Sequence, residues 1–246
     1  MNGFLLAVCF IAQFFALRHY LKIMYPKIGW NTLASKALCS GIFVLTAVIA
    51  SSISGGGFVF STMIAAFICS FFGDVFLHVY PKLGSEFVNY ALGGISFLAG
   101  HVLLVVSFFN FGKTYAPDAP AFSTAEIIAA AVLCAAVNIA LRVFGLKLKK
   151  FTVPVIIYSF ALMLMTVKAM HAAVLIFNSG SDFHLFEVAA ALLLGLGSVM
   201  FAASDIVLAC DFFTGGKDLK KKKANMILYY SGQMLLASSL LWINYN

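Results

Sequence analysis

The chain is 246 residues long, with 63% hydrophobic residues, only 10% charged residues and a formal net charge of +7. Soluble domains are about half apolar and about a quarter charged, so this composition describes an integral membrane protein and excludes a large soluble core. The positive balance does not mark a nucleic-acid partner, because most basic residues fall in short segments between apolar runs, where membrane topology puts them.

A span needs about 20 mostly apolar residues, and eight segments qualify. The first, about 3–21, has no basic run ahead of it and no small-residue cleavage site behind it, so it reads as a helix and not a cleaved signal. The second, about 32–53, holds Lys36 near its start and ends at SSISGGG. The third, about 57–80, closes on FFGDVFLHVY, where Asp74 and His78 share a face at i+4 inside an apolar run. The fourth, about 87–110, carries His101 near its middle and is followed by TYAPDAP. The fifth covers about 122–144. The sixth, about 152–176, has Tyr158 near its start, with Lys168 and His171 toward the other end, where they are expected to snorkel. The seventh, about 185–211, contains Asp205, with Glu187 and Asp211 expected at its interfaces. The eighth, about 226–244, follows the run KDLKKKK and offers Tyr229, Tyr230 and Gln233 in its first two turns. Gly93, Gly94, Gly195 and Gly197 are expected to permit close helix packing. The cysteines at 9, 39, 69, 134 and 210 all lie in apolar segments and read as inert thiols.

Lysine and arginine placement orients the bundle. Arg18, Lys22 and Lys27 follow the first span, Lys82 the third, Arg142, Lys147, Lys149 and Lys150 the fifth, and Lys217 and Lys220 to Lys223 the seventh. The even-numbered loops hold only Lys113. By the positive-inside rule the odd loops face the cytoplasm. The expected fold is all-α: one transmembrane domain over 1–246, about eight helices, both termini on the non-cytoplasmic side, in the cell's inner membrane. The lysine run reads as a topology signal.

At about 1.5 Å of rise per residue, Lys36, Asp74, His78, Tyr158, Asp205, Tyr229, Tyr230 and Gln233 all fall roughly 5–12 Å from the cytoplasmic boundary. Five spans therefore place polar side chains at one level. An unpaired charge facing lipid is expensive, so these groups should point inward and meet. Polar pairs between membrane helices are often worth only about 0.6 kcal/mol, a weak reason for so many ionisable groups. A functional site is the better one. His101, deeper in the fourth span, serves packing and function equally well.

The text contains no G-x-S-x-G elbow, no H-E-x-x-H zinc helix, no H-x-x-x-x-D pair and no phosphate-cradling loop. The membrane aspartyl proteases' G-x-G-D is broken, since Phe71 stands where the first glycine belongs. What remains is acid–base chemistry by two carboxylates with no metal or cofactor, or passage of a solute.

The segments SFFGDVFL (70–77), FLAGH (97–101), FAASDIVLA (201–209) and YYSGQ (229–233), with weaker support from SKAL (35–38) and the Tyr158 helix, resemble the YhhN-type lysoplasmalogenases. These are small multi-pass membrane enzymes. Two positions depart from that pattern: Ala37 stands where the family usually has proline, and Leu104 where it often has tyrosine. The resemblance implies hydrolysis of the vinyl-ether bond of lysoplasmalogens, giving a fatty aldehyde and a glycerophospho-ethanolamine or -choline. That bond sits just below the lipid headgroup, at about the depth of the polar level. On this reading one of Asp74 and Asp205 carries a proton and is the general acid, with a lean toward Asp205. The other, ionised beside Lys36, stabilises the cation and orients water. Lys36, His78, His101, Tyr158, Tyr229, Tyr230 and Gln233 are the expected binding and orienting residues. The partners are the lysophospholipid substrate and membrane lipids. The competing readings are a proton-coupled transporter, which would need polar residues through both leaflets, and an inactive lipid-binding protein.

Overall fold

A computed structural model describes residues 2–25, 29–79, 86–146, 148, 151–179, 185–215 and 218–243. Among these residues there is no strand, and eight helices follow one another: α1 (Asn2–Ile23), α2 (Trp30–Ser54), α3 (Gly57–Val79), α4 (Glu86–Tyr115), α5 (Thr124–Val143), α6 (Thr152–Asn178), α7 (Leu185–Phe213) and α8 (Leu219–Ser239). Each predicted span corresponds to one helix. The fourth runs five residues further than expected, to the turn at Ala116 and Pro117, where Lys113 Nζ closes on the Pro117 carbonyl.

Seven of the eight, α1 to α7, are long and apolar enough to cross a membrane. The exception is α8, which starts at 219 instead of 226 and ends at Ser239; the expected end at 244 lies outside the described residues. From Met226 to Ser239 it rises only about 21 Å, short of the roughly 30 Å hydrocarbon core. Its composition has a structural reason. Tyr229, Tyr230, Gly232, Gln233, Met234, Leu236 and Ala237 are all buried, so this helix meets protein on most sides and need not suit lipid.

The packing order explains that burial. α2 packs on α3, α3 on α4, α4 on α6, α6 on α7, α7 on α8, and α8 back on α2, which closes a ring of six helices. α1 lies outside the ring against α2 and α8, and α5 lies outside against α6. Both outer helices expose apolar side chains, Phe4, Phe14 and Phe15 on α1 and Ile128, Val132 and Ile139 on α5, as a lipid-facing surface requires.

Two seams of the ring are drawn tight by glycine. On α3–α4, a Cβ at Gly93 would lie 2.7 Å from Leu77, and one at Gly100 would lie 3.3 Å from the Ala66 carbonyl. On α7–α8, a Cβ at Gly232 would fall 2.8 Å from the Phe201 nitrogen, and one at Gly197 would fall 3.0 Å from the Gly232 carbonyl. The expected close packing thus holds at Gly93 and Gly197. Gly195 meets Met170 at an ordinary 3.4 Å, and Gly94 meets nothing within 4 Å, so neither marks a close approach. One half of the ring's interior is filled by Phe60, Met63, Phe67, Phe108, Phe111, Met165 and Leu194, each fully buried. The other half holds the polar residues.

Candidate active site

Every ring helix contributes to this polar half. α2 and α3 are joined by a tight turn, so residues near the start of one face residues near the end of the other. Lys36 Nζ lies 3.0 Å from Asp74 Oδ1. Ser40, one turn beyond Lys36, donates to Asp74 Oδ2 at 2.6 Å. Both carboxylate oxygens are therefore engaged, in a site where Asp74 is only 2% exposed. Tyr230 braces the pair from α8: its hydroxyl donates to the Lys36 carbonyl at 3.3 Å and sits 3.4 Å from Ser40 Oγ.

Asp205 on α7 has a different company. Tyr158 of α6 donates to its Oδ2 at 2.6 Å, and His101 Nε2 of α4 stands 3.4 Å from the same oxygen. The His101 ring is fully buried, stacks on Phe201 at 5.0 Å between centroids and meets Tyr158 edge-on at 5.1 Å. Ser204 Oγ lies 3.4 Å from Asp205 Oδ1. No lysine or arginine pairs with this carboxylate among the described residues.

Tyr229 joins the two groups. Its ring packs on Phe43 of α2, Phe97 of α4 and Phe201 of α7 at 5.7–6.1 Å, and on Tyr230 at 4.9 Å. Its hydroxyl is buried and makes no hydrogen bond of good geometry. One turn on, Gln233 is fully buried with neither amide atom paired, and His101 Nδ1 is also unpaired. A buried polar atom without a partner costs about 1–3 kcal/mol. Buried polar atoms left unpaired on neighbouring helices are the ones that water or a polar ligand would complete.

Of the nine residues expected from the sequence, contacts link seven into one network, Lys36, Asp74 and Tyr230 through Tyr229 and Phe201 to His101, Asp205 and Tyr158, and Gln233 is buried one turn beyond Tyr229. His78 lies at the edge of this network: it packs edge-on against Tyr20 of α1 at 6.0 Å, within reach of the Lys36 charge, and its Nε2 is buried without a partner. Ser40 is a functional candidate that sequence reasoning missed. Its one signal was the i+4 spacing from Lys36, which many serines share with something.

Two further expectations change. Lys168 does not snorkel: it is buried, and its ammonium meets Glu126 Oε1 at 2.8 Å, Glu126 Oε2 at 3.1 Å and the Ala121 carbonyl at 2.7 Å. His171 Nδ1 takes the same Glu126 oxygen at 2.6 Å. Glu126 also closes a capping box with Ser123 at the start of α5, so this cluster ties α5 and its preceding loop to α6. Asp211 lies in the last turn of α7 near Lys221 and Lys222, as an interfacial residue would, and is 6% exposed.

Neither curated proteins nor solved structures give a match to this chain. Residues 4–240 match the YhhN family, a stretch that holds all six ring helices and both carboxylates, and on that evidence the chain belongs to the YhhN family, the family of the lysoplasmalogenases.

Proposed function

We propose that this chain hydrolyses the vinyl-ether bond of lysoplasmalogens at the cytoplasmic leaflet, with Asp205 as general acid and Asp74 as the permanent carboxylate. The observation that carries the reading is the unequal setting of the two acids around Tyr229. Asp74 has a lysine countercharge and a hydroxyl donor. Asp205 has a phenol and an imidazole but no fixed cation. Two carboxylates in unlike environments are what split acid and base roles require.

Asp205 gives its proton to the β-carbon of the vinyl ether, and the electron pair of the double bond forms the new C–H bond. The α-carbon and its ether oxygen then share a positive charge, which the Asp74 carboxylate opposes. Water, held by Gln233 and the Tyr229 hydroxyl, adds to the α-carbon and returns a proton to Asp205. The resulting hemiacetal collapses to a fatty aldehyde and a glycerophospho alcohol. Tyr158 and His101 orient Asp205, while Ser40 and Tyr230 hold the Lys36–Asp74 pair. No step asks for His78.

Family membership supports an ether hydrolase, and the apolar filling of the remote half of the ring supports chemistry over passage. The test is turnover in deuterated water by purified protein in detergent, with the aldehyde trapped as it forms. One deuterium on the carbon beside the carbonyl is the expected result. Aldehyde without that deuterium would refute protonation at carbon, and no aldehyde would refute the reaction.

A further inference from the structure

A second layer of aromatic rings sits near the Asp205 group, on α4 and α7 and at the N-cap of α6. Phe151 precedes Tyr158 by seven residues, Phe212 follows Asp205 by seven, and Tyr90 precedes His101 by eleven. At about 3.6 residues per turn these spacings return to the same helix face, two turns away on α6 and α7 and three on α4. The displacement toward the helix ends is about 10 Å on α6 and α7 and about 16 Å on α4. The rings meet as that register requires: Tyr90 and Phe212 at 5.0 Å, Phe151 and Phe212 at 6.2 Å, and Phe151 and Phe213 at 6.1 Å.

Between the two layers α4 leaves room. Gly94 lies one turn from Tyr90 and seven residues before His101, on their shared face, and a Cβ there would meet nothing within 4 Å. Its neighbour Gly93, about 100° round the helix, is closed against Leu77. Tyr90 is 36% and Phe212 38% exposed, so the layer is reachable from outside the ring. The α3–α4 and α7–α8 seams are drawn tight by glycine contacts, whereas this layer keeps two partly exposed rings on the helices that carry His101 and Asp205.

We propose that this aromatic layer is a subsite for the ammonium of a zwitterionic lysophospholipid head, with the glycerophosphate lying along the space at Gly94. The inference rests on the lysolipid reading above and adds the part of the lipid that these residues recognise. The rings pack edge-on against one another, which leaves the partly exposed faces of Tyr90 and Phe212 to attract a weakly hydrated ammonium through their quadrupoles. The reach fits: an extended glycerophospho-ammonium head runs on the order of 10 Å from ether oxygen to nitrogen.

Two lipid pairs test it on full-length protein in detergent. In the first, an alkenyl-glycerophosphocholine is compared with the alkenyl-glycerophosphate that lacks the ammonium. Phe212→Leu and Tyr90→Leu keep apolar volume and remove the ring, and each should raise KM for the choline lipid about fivefold. Neither should change kcat, nor KM for the glycerophosphate. Equal shifts for both lipids, or no shift, would overturn the subsite. The second pair, the ester lysolipids with and without choline, has no vinyl ether and reads dissociation constants alone. The same ring-dependent ratio is expected there whatever the fate of the proposed reaction, and a ratio indifferent to the rings overturns the subsite even if aldehyde is released. Gly94→Leu should weaken binding of both ester lipids by tenfold or more with an unchanged melting temperature. Undiminished binding would remove the head from that space.

Discussion

Lys36 and Asp74 bury opposite charges side by side, 5% and 2% exposed. Removing one partner of such a pair leaves an uncompensated charge and typically costs about 3–5 kcal/mol. Lys36→Met should therefore lower the melting temperature sharply. Lys36→Met combined with Asp74→Asn should recover most of that loss, yet stay inactive; recovery of turnover in the double variant would remove Asp74 from the chemistry. Tyr158→Phe deletes the 2.6 Å donor to Asp205 while keeping the ring that packs on His101. Its kcat should fall roughly 10-fold to 100-fold with KM little altered, measured by aldehyde release. At this scale the sequence exposed the ionisable residues, because a charge inside an apolar run is conspicuous. It did not expose Ser40 or the turn of His78 toward Tyr20, since those depend on how α1, α2 and α3 cross.

The α7–α8 pair carries half the site: Asp205 lies one turn beyond Phe201, and Gly232 sits between Tyr229 and Gln233. In Gly232→Ala the new Cβ would meet backbone, the Phe201 nitrogen at 2.8 Å and the Gly197 carbonyl at 2.9 Å, so the helices must part. Overpacking of this kind costs about 1–3 kcal/mol, and turnover should fall along with the melting temperature. Gly41→Ala, whose Cβ meets nothing within 4 Å, is the control that should change neither. The Lys168–Glu126–His171 cluster predicts the opposite dissociation. Lys168→Met should lower the melting temperature through its stranded carboxylate but leave aldehyde release per folded molecule intact; a matching loss of activity would tie that cluster to the reaction. Glu126 is 42 residues before Lys168. On its own helix it reads as a first-turn capping acid, so the sequence had no means to name it as the partner that keeps Lys168 from snorkelling.

Eight helices were legible because the hydrocarbon imposes a length and a composition on each crossing. α8 shows where that signal weakens: surrounded by protein, it satisfies the bundle and not the lipid, and its first turns are Leu219 and four lysines. The ring was not legible. α4 passes over its sequence neighbour α5 to pack on α6, a choice made by side-chain fit and not by periodicity. The polar level was legible as depth, while its division into an Asp74 group and an Asp205 group was not. The orientation remains a prediction: Lys223→Cys, in a background with the native cysteines replaced, should react with an impermeant maleimide only from the cytoplasmic side, and labelling from the other face would invert the topology. The central claim is that two carboxylates at one level of this ring cleave a vinyl ether, and it is tested by aldehyde release from lysoplasmalogen by purified wild-type, Asp74→Asn and Asp205→Asn proteins of matched melting temperature. Active wild type with each variant reduced roughly 100-fold to 10,000-fold is the predicted result. Both variants working at the wild-type rate would contradict it.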